Sequence, residues 1–109
     1  MISWEDFEKI DMRVGTIIEA TNFEKAKKPA YKLRIDFGEI GIKQSSAQIT
    51  ALYKAEDLPG KQVIAVVNFP PKQIANFFSE CLVLGVYNEH KEVVLLQPGM
   101  AVRNGDKVG

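Results

Sequence analysis

Apolar positions recur along this chain at two spacings, and each spacing predicts a different element. Near the start, Trp4, Phe7 and Ile10 lie three residues apart behind a Ser3/Asp6 pair of the capping type. This predicts a short helix over about Trp4 to Lys9 with one aromatic face, too short to persist unless it docks on something. From Arg13 the period becomes two. Val14, Thr16, Ile18 and Ala20 alternate with Arg13, Gly15, Ile17 and Glu19, a strand whose glycine marks a bend or bulge. From Ala30 to Phe37 the alternation is cleaner: Tyr31, Leu33, Ile35 and Phe37 share one face, and Lys32, Arg34 and Asp36 share the other. That strand has a core side and a basic solvent side.

Ile40, Ile42 and Gln44 carry the alternation into a third strand, after which Ile49, Leu52 and Tyr53 return to spacings of three and four. A short helix is therefore expected between Ser45 and Tyr53, ahead of the Leu58-Pro59-Gly60 turn. Residues 62 to 69, QVIAVVNF, are apolar on both faces and read as a central strand. The stretch NFPPKQIANFFSE, residues 68 to 80, then reads as a connection stiffened by Pro70 and Pro71. Adjacent residues of an extended segment face opposite ways, so one of Phe77 and Phe78 enters the protein and the other is displayed. The pattern leaves open which. Cys81 to Tyr87 and Glu92 to Gln97 are further strands around a hairpin at residues 88 to 91, followed by a tail with turn signals at Pro98-Gly99 and Asn104-Gly105.

Five strands between Arg13 and Tyr87, with a small helix after the third, predict an all-β protein: a five-stranded OB-fold Greek-key barrel with a short N-terminal helix and a C-terminal strand extension. One domain is expected over residues 1 to 109, with a barrel core of about 11 to 87 and extensions at 1 to 10 and 88 to 109. Both extensions are apolar enough to need a partner surface.

Composition narrows the function. At 46% hydrophobic and 26% charged residues the chain reads as an ordinary globular protein. Cys81 is the only cysteine, which excludes an intrachain disulfide, and its apolar neighbours suit a small buried hydrophobe. The acidic start, MISWEDFEKIDM, lacks the features of a signal peptide, and no stretch has the apolar length of a membrane span. A cytoplasmic location without membrane insertion is expected. Basic and acidic residues balance at 14 each, but unevenly: Lys25, Lys27, Lys28, Lys32 and Arg34 fall within ten residues that contain no acid.

Candidate chemistry is sparse. His90 is the single histidine, sits in a turn, and has no Cys, Asp or His at ligand spacing. No phosphate-binding glycine loop or nucleophile motif occurs. The expectation is no enzyme, no catalytic residue, no metal and no cofactor.

At IDMRVGTI (10 to 17), IDFGE (35 to 39) and NFPPK (68 to 72), the sequence resembles the tRNA-binding domain family. That family includes the dimeric appendix of bacterial methionyl-tRNA synthetases and small free-standing proteins, some described as export-related chaperones. GIKQSSAQIT (41 to 50) and KQVIAVVNFPP (61 to 71) look most like the latter. The resemblance extends over essentially the whole chain. It implies an OB-fold and a homodimer formed through the two added ends, with Trp4, Phe7, Val93, Val94, Leu95 and Leu96 at the interface. Where the wider family has Ser-Gly-Leu this chain has Ala47-Gln48-Ile49, and where it has Ser-x-Gly-Met this chain has Ser79-Glu80-Cys81-Leu82. Asn76 replaces a glycine, as the residue best suited to a left-handed backbone, and Phe78 replaces a polar or basic residue.

Two binding functions follow. For tRNA or other structured RNA, Lys27, Lys28, Lys32, Arg34, Lys43 and Lys72 would contact phosphates, with the basic loop that also holds Lys25. Gln44, Asn68 and Ser79 match polar positions of the family and would hydrogen-bond bases or sugars. For unfolded or pre-export polypeptides, Ile49, Tyr53, Ile74, Phe77 and Phe78 would line an apolar groove. The expected function is a non-catalytic dimeric chaperone with tRNA-binding capacity. The alternatives are a peptide-binding chaperone without RNA binding and a plain assembly module.

Overall fold

In the computed structural model, which describes all of residues 1–109, the N-terminal capping pair forms as its residues predict. The Asp6 N–H donates to Ser3 Oγ at 3.1 Å and the Ser3 N–H donates to Asp6 Oδ2 at 3.0 Å, opening α1 (Trp4–Glu8). The backbone bond from Ser3, followed by that from its hydroxyl, holds the Asp6 carboxyl below its ordinary range. No residue of α1 is buried, and Trp4 is 85% exposed. The helix is tied down from behind. Asn68 Nδ2 donates to the Lys9 carbonyl at 2.8 Å, and Asn68 Oδ1 accepts from the Asp11 N–H at 3.0 Å.

The strands are β1 (Met12–Asn22), β2 (Tyr31–Asp36), β3 (Ile42–Ala47), β4 (Gln62–Val66), β5 (Lys72–Ile74), β6 (Phe77–Ser79), β7 (Leu82–Val83), β8 (Gly85–Tyr87) and β9 (Val93–Leu95). Five of them form one antiparallel sheet in the order β3-β2-β1-β4-β7. The sheet curls until β3 meets the end of β6 and the residue that follows it. There the Glu80 N–H donates to the Gln44 carbonyl at 2.8 Å, the Gln44 N–H to Glu80 Oε1 at 3.0 Å, and the Ser46 N–H to Ser79 Oγ at 3.3 Å. These bonds nearly close the five-stranded barrel, as expected of an OB-fold.

Three local expectations are corrected. In β1, a register shift between Ile17 and Glu19 changes which side chains face inward. Val14, Gly15 and Ile17 are buried, Ile18 at the shift is 41% exposed, and Ala20 beyond it packs against the core, so no single alternation runs through the strand. Gly15 is a contact requirement: a Cβ there would lie 2.6 Å from Ile35 Cγ2 and 2.7 Å from the Phe37 ring. The helix expected within residues 45 to 53 does not form. Ser45 and Ala47 finish β3, Ile49 alone drops into the core, and the only helical turn nearby is a 3-10 turn at Ala55–Asp57. The connection 68 to 80 is not an open loop, because β5 and β6 pair as a tight hairpin. Its left-handed residue is Ala75 (φ 54°), not Asn76.

The core comprises Ile17, Leu33, Ile35, Phe37, Ile49, Leu58 and Val63 with four smaller or later residues, Ala47, Ala65, Cys81 and Leu95. Tyr53 pins the end of this core: its hydroxyl accepts from the Leu95 N–H at 3.0 Å, and its carbonyl accepts from the Tyr31 hydroxyl at 2.7 Å. The polar tail returns along the first half of β1, held by bonds from the Val14 N–H to Asp106 O and from the Gly105 N–H to Val14 O. Gly105, at φ 93°, lies so close to the Phe37 carbonyl that a Cβ would come within 2.6 Å of it.

Candidate nucleic-acid interface

The outward side of β2 and β3 is set by register. Lys32 faces Ser46 and Arg34 faces Gln44, while Leu33 and Ile35 turn inward opposite Ser45 and Lys43. Arg34 is exposed and takes part in none of the chain's ion pairs. Lys25, Lys27 and Lys28 are likewise exposed and unpaired, on the segment between β1 and β2. Lys72 opens β5 opposite Ser79, also exposed. Arg34, the loop lysines and Lys72 are therefore free cations on adjoining elements.

The other residues expected to touch RNA are placed differently. Lys43, the partner of buried Ile35, sits half-buried on the inner side of the sheet, away from Arg34. Gln44 Nε2 donates to the Phe78 carbonyl at 2.9 Å, which fastens β3 to β6. Ser79 Oγ donates to the Cys81 carbonyl at 3.2 Å and accepts from the Ser46 N–H. Asn68 spends its amide on α1. The three polar family positions are thus internal fasteners, a role invisible in sequence because the partners lie 33 to 59 residues away, or in one case on the backbone two residues on.

The apolar candidates also separate. Ile49 and Phe77 are buried, Ile74 and Tyr53 are half-buried against core clusters, and Phe78 is 48% exposed. The open question at Phe77 and Phe78 is resolved with Phe77 inside. Only Phe78 of the five stands in solvent. A cleft of about 300 Å³ nearby is lined instead by Phe69, Pro70, Lys72, Ser79, Cys81 and Leu82, with Phe69 55% and Leu82 49% exposed. Sequence pattern missed it because Phe69 reads there as the last residue of a central strand. Cys81 in its wall is not a reactive thiol: burial, opposed by the charge of Lys43, pushes it up to about 12. A larger cleft of about 470 Å³ borders the tail, but its arginines are already engaged, Arg13 with Asp11 at 2.6 Å and Arg103 with Asp106 at 3.7 Å.

Of the expected dimer residues, Leu95 belongs to the barrel core and Val93 packs against it. Val94 is 41% exposed and faces its partner Val86, 53% exposed. Leu84, bonded to Leu96, continues this outer stripe toward Leu82. Trp4 is bare and Phe7 half-exposed.

A nearly closed antiparallel barrel with five principal strands and a short N-terminal helix defines an OB-fold protein, here with a cationic loop and strand face. Residues 12–107 match the family model described as "Putative tRNA binding domain", and the chain belongs to that family. The solved structure of chaperone CsaA from Bacillus anthracis str. Ames is 56% identical, with a TM-score of 0.95 and coverage of 100% of this chain and 99% of that one. The CsaA chaperone protein from Picrophilus torridus is 57% identical, with a TM-score of 0.94 and full coverage of both chains. The methionine–tRNA ligase of Bdellovibrio bacteriovorus is 35% identical over 107 residues, 98% of this chain and 15% of that protein. The chain thus spans about 15% of the length of the ligases it matches. No helix of the structure is long and apolar enough to cross a membrane.

Proposed function

We propose that this chain is a non-catalytic, cytoplasmic binding protein that works as a homodimer, holds tRNA or another structured RNA, and serves as a chaperone. The observation that carries the RNA reading is the set of unpaired cations, Lys25, Lys27, Lys28, Arg34 and Lys72, on the β1–β2 segment, β2 and β5. Because the net charge is zero, attraction to a polyanion rests on this local grouping. Two copies in a dimer would double the phosphate contacts on one RNA. A gel shift with tRNA tests this: binding weakens steeply with salt, with a slope set by the number of phosphates contacted. Absence of salt-sensitive binding at low ionic strength rejects it.

The chaperone reading has its own support in the apolar cleft at Phe69, Pro70 and Leu82 and in the similarity to CsaA chaperones. Lys72 at its rim would suit an extended segment that carries both apolar and acidic side chains. A Phe69→Ser variant that folds normally is expected to lose protection of a denatured client against aggregation. Retained protection counts against this cleft.

A further inference from the structure

The segment 23 to 30 and the β5–β6 hairpin are far apart in the chain, yet they meet over a small cluster of their own. Phe23, Ala30 and Phe77 are buried there, with Ala26 and Ile74 packed against them, separate from the main core. The rings of Phe23 and Phe77 lie 5.3 Å apart at 59°, a tilted contact that the aromatic quadrupole favours. Lys32 Nζ stands over both rings, 4.9 Å from the centroid of Phe23 and 5.4 Å from that of Phe77. Both distances fall within the range of a cation–π contact. Lys32 is half-buried and joins none of the chain's ion pairs.

We propose that Lys32 is a positioning residue: its ammonium fastens Phe23 to Phe77, so that segment 23 to 30 and the β5–β6 hairpin behave as one body. An ammonium held by two ring faces gives up part of its hydration to them and is poorly placed to neutralise a phosphate as well. Its neighbours do that work. Lys25, Lys27 and Lys28 lie on one of the joined segments and Lys72 on the other, so the joint fixes the spacing of cations that a structured RNA meets. Binding then need not order two independent segments, a cost that would otherwise be subtracted from affinity. Only this last step rests on the RNA reading; the joint itself does not.

The test uses Lys32→Met, which keeps an unbranched apolar stem and removes the charge, with Lys32→Arg as the variant that keeps a cation. Amide hydrogen exchange is read across the whole chain, and tRNA affinity is measured over a salt series. Lys32→Met is expected to speed exchange in residues 23 to 30 and 72 to 79 together by about three- to tenfold, leaving barrel amides unchanged. Affinity falls by a similar factor with the slope of log K against log salt unaltered. Lys32→Arg restores both. If Lys32 is an ordinary phosphate contact, Lys32→Met leaves exchange alone and reduces the slope by about 0.7 to 0.9, which overturns the proposal. Faster exchange in one segment without the other overturns it too. Should the native protein bind no RNA, the function proposed above fails while the exchange measurement still decides the joint.

Discussion

The hairpins β5–β6 and β8–β9 both stand beside the main sheet as separate two-stranded pairs, but they are anchored in different places. β5–β6 sends Phe77 into the small cluster with Phe23 and keeps Lys72, Gln73 and Phe78 in solvent. β8–β9 sends Leu95 into the barrel core itself and leaves Val86 and Val94 bare. The first hairpin is therefore held from two sides, by the small cluster it shares with segment 23 to 30 and by the bonds from Gln44 and Ser46 of β3, and its exposed side mixes a cation, an amide and an aromatic ring. The second is continuous with the barrel, and its exposed side is apolar. Where a hairpin buries its anchor decides how independently it moves, and what it leaves exposed decides which surface can cover it: a polar, charged ligand for β5–β6, a second apolar face for β8–β9.

The largest effect is expected at Leu95. Leu95→Ala removes a core side chain and should lower the unfolding free energy by about 3 kcal/mol, measured by urea denaturation. Phe78→Ala in the other hairpin should stay within about 0.5 kcal/mol, because its ring is half in solvent. A loss below about 1 kcal/mol at Leu95 would mean that β9 is not part of the cooperative barrel, and the contrast between the hairpins would collapse.

Next comes the apolar stripe. Val86→Asp places a charge opposite Val94 at the proposed dimer seam, where an unpaired carboxylate is costly to bury. Sedimentation should show dimer dissociation strengthened by at least about a hundredfold, with little change in monomer stability. An unaltered dimer would move the seam elsewhere, to α1 or another face.

How far these differences were legible varies with the residue. The inward row Leu33, Ile35 and Phe37 was plain because β2 has chemically distinct faces and no bulge. In β1 the alternation alone does not say which of Ile17 and Ile18 turns inward, because both are isoleucines and only the register shift tells them apart. The spacing of Ile49, Leu52 and Tyr53 imitates a helix, but Leu52 is 45% exposed and the backbone makes only turns there. At the candidate site, the exposed lysines were legible as a run of charge. The fastening roles of Gln44, Ser79 and Asn68 were not, because each depends on a fold-dependent partner. Lys32 looked like its neighbours until the two rings on either side of it in sequence were brought together in space.

Cys81, where the chain passes from one hairpin toward the other, gives a pH-dependent comparison. Its folded-state value is raised above the ordinary 9.0 to about 12, first by burial, with Lys43 opposing. Between those values the unfolded chain loses a proton that the folded chain keeps. This contribution to stability is complete below pH 9 and is lost as pH rises from 9 toward 12, with a slope approaching about 1.4 kcal/mol per pH unit. Cys81→Ala should flatten the fall of stability over that interval relative to the native chain. Parallel curves would show that the thiol is hydrated in solution.

The smallest effect sharpens the comparison most locally. The β5–β6 turn places Ala75 at φ 54°, a left-handed conformation that costs a residue with a Cβ about 1 to 2 kcal/mol. Glycine removes that cost but has more freedom to lose on folding, by about 0.5 to 1 kcal/mol. Ala75→Gly should therefore stabilise the protein by about 0.5 kcal/mol, read as a small rise in denaturation midpoint. The distribution of the effect is more telling than its size. If β5–β6 is joined to segment 23 to 30 through Phe77, Phe23 and Lys32, slower amide exchange should appear in both segments, although only the turn was changed. If the hairpin stands alone, slowing stops at residues 72 to 79. A destabilised variant would instead mean that Ala75 leaves the left-handed conformation in solution, and that the hairpin is held by its cluster rather than by its turn.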